Sequence, residues 1–245
     1  MSCLWLIAAS AQLLLIVPSA NGDGMNLAWN DCSLNGTMNR NFTCHTNFGV
    51  HAMVVSFDPP PGITKLVGCS ATLELETSNP LPAWWELYPG GCREGSIRLE
   101  LAAPTTLNCV DYWGAAATGT FAYTVTGSNR ASITLSFGIP EAMAGAVETG
   151  TEYYAFQLIL NNRNTVGPGS CAGCLDPACV HLTGLWLYQP AGMGDHLLCN
   201  SLTSNYVTWQ GGSPIPCPPV DGPPGDCGVI PTARRSWGLI KGLYR

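Results

Sequence analysis

The stretch FAYTVTGSNRASITLSF, residues 121–137, decides the fold class. Phe121, Tyr123 and Val125 alternate with small or hydroxyl residues, and Ile133, Leu135 and Phe137 do the same after a short break. A period of two places successive side chains on opposite faces of a strand, so each run has one buried face. Gly127-Ser128-Asn129-Arg130 between them has the composition of a hairpin turn. The same alternation recurs outward along the chain. Leu73 and Leu75 alternate with Glu74 and Glu76, and Ile97, Leu99 and Leu101 alternate with Arg98 and Glu100. Residues 50–57 form a β-prone run that ends at the breaker Asp58-Pro59-Pro60-Pro61-Gly62. Residues 153–160 are apolar on both faces, which predicts a central strand, and residues 180–188 and 206–210 complete the set. No amphipathic helix is evident, and residues 140–150 have room for one helical turn. Short strands separated by Gly, Pro and Asn predict an all-β fold, a disulfide-stabilised β-sandwich or jelly roll of about eight strands.

The composition fits an exported protein. Of 245 residues, 46% are hydrophobic and only 11% are charged, well below the usual quarter. Residues 4–17 form an apolar run broken only by Ser10 and Gln12, too short for a membrane span and suited to a secretory signal peptide covering residues 1–22. Met1-Ser2-Cys3 ahead of it lacks the customary basic residue. Residues 23–210 are expected to form the β domain. Residues 211–233 are rich in Pro and Gly and read as a linker. Residues 234–245 are a basic-aromatic tail. The net charge is −6, but the tail holds four of the ten basic residues and no acid, so the remainder stands at −10. An acidic body offers no basic face for phosphates, which argues against nucleic acid as a partner.

Beyond the leader there are eleven cysteines: Cys32, Cys44, Cys69, Cys92, Cys109, Cys171, Cys174, Cys179, Cys199, Cys217 and Cys227. In an exported chain this density predicts disulfides, and the odd count leaves at least one thiol over. Proximity suggests Cys32 with Cys44, Cys92 with Cys109 and Cys217 with Cys227, with Cys69 and Cys199 available as a long-range staple. Cys171, Cys174, Cys179 and His181 fall within eleven residues. Three thiolates and an imidazole suit a tetrahedral zinc ion, and a Cys-x-x-Cys pair is also compatible with redox work. The simpler expectation is a disulfide-knotted loop, for instance Cys171 with Cys179, and no cofactor.

Two further groups could carry function. Trp85, Tyr112 and Trp113 could stack on sugar rings if exposed, although large aromatics in such folds usually build the core. Trp84 and Trp85 would point to opposite faces if they lay on a strand, which would leave one of them exposed. In the tail, Arg234, Arg235, Trp237, Ile240, Lys241, Tyr244 and Arg245 form a short basic-aromatic peptide able to dock on a partner, on the cell envelope or on an export machine. Catalytic signatures are missing: there is no His-Glu-x-x-His and no Gly-x-Ser-x-Gly. Asp111 and Asp195 are the best carboxylates for acid–base work, but nothing pairs either with a second acid across a cleft.

The Trp84-Trp85 segment, the run Gly150-Thr151-Glu152-Tyr153-Tyr154, the Cys171 cluster and the tail motif from Trp237 to Arg245 together give the chain a resemblance. It resembles exported β-rich proteins of uncultivated bacteria, a group with no activity, ligand or catalytic residue to transfer. The resemblance implies a bacterial origin and an envelope or extracellular location. The expectation is a secreted, non-enzymatic surface protein with a structural, adhesive or binding role. The alternatives are a carbohydrate-binding module and a hydrolase whose site the sequence does not reveal.

Overall fold

The structure is a computed structural model and describes residues 23–211. Two sheets stack face to face. The smaller contains β1 (Gly24–Trp29), β3 (Val50–Asp58), β9 (Tyr153–Asn161) and β5 (Ile97–Glu100) in that order, with β6 (Val110–Asp111) also on β9. The larger runs β2 (Asn39–Arg40), β12 (Tyr206–Trp209), β10 (Ala178–Tyr188), β4 (Gly68–Thr77), β8 (Arg130–Gly138) and β7 (Thr118–Gly127), with β11 (His196–Leu198) also on β10. The all-β sandwich expected from alternation is present, with twelve strands among the described residues rather than about eight. The extra strands are mostly two or three residues long. They pair at sheet margins, where hydrophobic periodicity has too few positions to register. β1 is buried along its whole length, although its Met25, Leu27 and Trp29 do alternate with Gly24, Asn26 and Ala28 over its six residues.

The hairpin at residues 127–130 forms as expected, with Gly127 opposite Arg130, Tyr123 opposite Ile133 and Phe121 opposite Leu135. β9 is the central strand that its apolar run implied, flanked by β3 and β5. One helical turn, Glu141–Met143, lies in the segment with room for it.

Leu73, Leu75, Ile133, Leu135, Phe137, Leu182 and Leu185 from the larger sheet meet Leu27, Met53, Val55, Phe57, Phe156 and Leu158 from the smaller. Along one side the sheets are stitched together. The Met25 and Leu27 amides donate to the Asn200 and Ser204 carbonyls, so residues 199–205 extend the edge of β1 before entering β12 of the other sheet. The outward face of the smaller sheet is covered as well. Cys109, beside β6, is bonded to Cys32 beyond β1, and the Asn108 amide donates to Asp31, which ties the loop after β1 to the loop before β6. Asn26, Val54, Ser56 and Gln157 point outward by alternation, yet they are buried.

Candidate functional site

The Cys171 cluster is a structural staple. Cys171 is bonded to Cys92 and Cys174 to Cys44. Cys179 and Cys199 are disulfide-bonded too. Thiols held in disulfides are not available as zinc ligands, and Cys171 and Cys174 are bonded to distant partners rather than to each other, so Cys171, Cys174, Cys179 and His181 do not come together as a ligand set among the described residues. His181 points away from that loop, on the outward face of β10 opposite Glu74 and against the Tyr206 ring. Its Nε2 is buried with no partner among the described residues, and burial lowers its pKa. The neighbour pairings Cys32–Cys44 and Cys92–Cys109 are also corrected. The bonds formed are Cys32–Cys109, Cys44–Cys174 and Cys92–Cys171, spanning 77, 130 and 79 residues. In a fold built from long-range strand pairs, spatial neighbours come from distant sequence, so proximity along the chain was the wrong guide. Cys69 is the free thiol among the described residues. It is buried on β4, and burial pushes its pKa well up. A Cys69–Cys199 staple is therefore absent. Cys217 and Cys227 lie outside the described residues, as does the tail with Arg234, Arg235, Trp237, Ile240, Lys241, Tyr244 and Arg245.

The proposed glycan platform of Trp85, Tyr112 and Trp113 is not a surface. Trp84 and Trp85 sit on a 3₁₀ turn, Ala83–Trp85, not on a strand, and both are buried. The turn sends both indoles inward, Trp84 beside the Trp209 ring and Trp85 edge-on to it. Trp113 is buried against Phe137, with its Nε1 donating to the Tyr154 carbonyl. The half-buried Tyr112 hydroxyl donates to the Leu66 carbonyl and accepts from the Gly145 amide. The two singled-out carboxylates hold loops. Asp111 accepts from the Trp113, Gly114 and Ala103 amides, and Asp195 accepts from the Gln189 amide.

The structure presents a different surface, one that no sequence motif announced. Across β7, β8 and β4 the outward side chains fall in register. One row reads Thr120, Ser136, Ser70 and Trp186; the next reads Ala122, Thr134, Thr72 and Gly184. A third reads Thr124, Ser132, Glu74 and His181, and Arg130 and Glu76 close the end with a 2.9 Å ion pair. Thr118, Thr120, Thr124 and Thr134 are exposed, Thr72 and Trp186 are half-buried, and Ser70, Ser132 and Ser136 are buried between them. In-register hydroxyls separated by about 4.8 Å across strands and about 7 Å along them make a flat, almost uncharged shelf. Burial raises the pKa of Glu74 within it. The polar half of each alternating strand carried this signal, but only strand register turns scattered Ser and Thr into rows.

Comparison with known proteins adds little. No protein-family model and no curated protein matches the chain. Among solved structures, the second type II cohesin module from the cellulosomal adaptor ScaA scaffoldin of Acetivibrio cellulolyticus is similar at 9% identity and TM-score 0.37, covering 76% of this chain and 95% of that one. A cohesin module from a Clostridium perfringens ATCC13124 family 33 glycoside hydrolase is similar at 7% identity and TM-score 0.35, covering 76% of this chain and 92% of that one. A likeness this distant transfers neither residue nor partner. No helix among the described residues is long and apolar enough to cross a membrane.

Proposed function

We propose that the protein is a secreted, non-enzymatic surface module that works through contact rather than chemistry, and that its working surface is the open shelf of β7, β8 and β4. The observation that carries this reading is the register of exposed Thr120, Ala122, Thr124 and Thr134, with half-buried Thr72 beside them. Small hydroxyl side chains keep such a face flat and let it exchange water for the hydroxyls of an extended neutral partner at little desolvation cost. The disulfides hold the face rigid in an oxidising environment. In the proposed organisation residues 1–22 direct export, the β domain presents the shelf, and the basic tail makes the attachment to an envelope, glycan or protein partner.

A second reading, carbohydrate binding, is favoured by one residue. Half-buried Trp186 closes the Thr120–Ser136–Ser70 row and supplies the aromatic plane that the buried Trp85 and Trp113 cannot.

The test is retention of the full-length exported protein on washed cell envelopes, chitin and cellulose. Thr120→Arg/Thr134→Arg adds two charges to exposed positions and should leave the melting temperature within about 2 °C, since surface changes cost little. Retention should fall at least tenfold. Retention unchanged in this variant but lost on deleting residues 234–245 would move the working surface from the shelf to the tail.

A further inference from the structure

An unpaired sheet edge is a template for another strand, so folds shorten, charge or cover their edges. Among the described residues the other margins follow that rule. β2 is two residues long and carries Arg40, and β11 is three residues long. β5 is four residues long and carries Arg98 and Glu100, and β6 is two residues long and carries Asp111. The edge of β1 is taken up by residues 199–205, whose Asn200 and Ser204 carbonyls accept from the Met25 and Leu27 amides.

β7 does not follow it. It runs for ten residues without a charge or a proline, and its register with β8 is regular from Thr118 to Val125, with a bulge only at Thr126. Among the described residues its backbone groups bond to no strand but β8. Its inward row is incompletely covered as well. Ala131, Ile133 and Leu135 on β8 are buried, but the residues opposite them are not. Val125 is 43% accessible, and Tyr123 and Phe121 are only half-buried.

We infer that a second copy of this chain pairs with β7 edge to edge and antiparallel, about a two-fold axis that passes through Ala122 perpendicular to the sheet. Charge selects this edge for the contact. Two chains of net charge −6 repel, and they meet here across strands that carry no charge, with Arg130 at the hairpin end neutralised by Glu76. Symmetry selects a second copy as the occupant. The added strand must be apolar on the inward side and small or hydroxyl-bearing on the outward side, and β7 itself has that pattern. A two-fold axis perpendicular to the sheet keeps both faces on their own sides. Phe121 then lies opposite the second copy's Tyr123, Thr120 opposite its Thr124, and Ala122 opposite its own counterpart. Residues 119–125 of each copy pair within the regular part of the strand, giving on the order of seven backbone hydrogen bonds between copies. The outward threonine rows of the two copies become one face on a single continuous sheet. The pairing holds whether or not that face is the working surface.

The test is sedimentation equilibrium of the full-length exported protein from roughly 1 to 300 µM, the range in which a small interface associates. A monomer–dimer equilibrium is expected. Ala122→Lys sets two like charges against each other on the axis, and Ala122→Glu does so with the opposite sign. Position 122 is exposed, so both variants should melt within about 2 °C of wild type. Each variant alone should raise the dimer Kd about tenfold or more, and an equimolar mixture of the two should restore association. A wild type that stays monomeric, a dimer indifferent to both variants, or a mixture that fails to associate overturns the proposal. A wild type that dimerises only after deletion of residues 234–245 also overturns it and assigns the β7 edge to the tail. The readout is oligomeric state, so it is separate from retention on envelopes or glycans.

Discussion

At the scale of single residues, the most consequential side chain is one the sequence did not single out. Arg93 is fully buried. Its guanidinium lies over the Trp84 ring, 3.5 Å from the centroid, and donates to the Trp84 and Arg163 carbonyls at 2.9 and 3.1 Å and to that of Asn161. Burial lowers its pKa to about 9, still charged at neutral pH. A planar fork of donors stacked on an indole ties the loops around Cys92 and Cys171 to the core. Replacement by Met strands three carbonyls. The expected cost is roughly 3 kcal/mol or more in chemical unfolding, and Arg93→Lys should recover less than half of it, because an ammonium cannot serve three carbonyls and stack at once. Recovery to wild-type stability by Lys would show that charge alone suffices. The cysteines teach the same lesson. The residue type announced disulfides, but the partners 77 to 130 residues away were set by strands the sequence could not order.

At the scale of elements, the hairpin of β7 and β8 depends on a contact invisible to periodicity. A Cβ on Gly119 would lie 2.3 Å from the Phe137 Cβ and 2.6 Å from the Ser136 carbonyl oxygen across the pair. Backbone atoms cannot yield as a side-chain tip can. Gly119→Ala should therefore destabilise by about 1–3 kcal/mol, while Thr118→Ala, at the exposed neighbouring position, should stay within about 0.5 kcal/mol. Thermal melts of the two variants make the comparison, and equal losses would place the constraint elsewhere. β7 is also a ten-residue edge strand with no charge and no proline, features that usually protect such edges. The Trp84-Trp85 turn shows why alternation is a conditional guide. It predicts opposite faces only where the backbone is extended, and here a 3₁₀ turn after Pro82 carries both rings inside.

At the scale of the whole molecule, buried His181 and half-buried His51 link stability to pH. Burial lowers the pKa of His51, as do Arg40 and Arg93 against an opposing hydrogen bond to the Asn162 side-chain oxygen, and burial lowers that of His181 against an opposing contribution from Glu76. Their folded values lie below the ordinary 6.5 that the unfolded chain restores. As pH falls below 6.5 the unfolded state takes up protons first, so the stability that neutral histidines confer is progressively lost. Asp58, Glu74 and Glu152, whose pKa values burial raises, act with the opposite sign, losing stability as pH rises through their folded values. The histidine contribution is isolated by difference. Between pH 7.5 and 5.5 the melting temperature of wild type should fall relative to that of His51→Gln/His181→Gln. A constant difference across that window would mean that neither histidine resists protonation in the fold.

The sequence by itself determined the class of the protein. Alternation in residues 121–137 and its echoes specified half-buried strands, because a period of two is a local property of the extended chain. The all-apolar run at 153–160 specified a central strand for the same reason. Tertiary structure decided what locality cannot reach. Packing decided that Trp85 and Trp113 are core and Trp186 only half-buried, and topology decided which cysteines meet. Register decided that hydroxyls spread over three strands line up as one shelf, because rows across a sheet form only when each strand finds its neighbour.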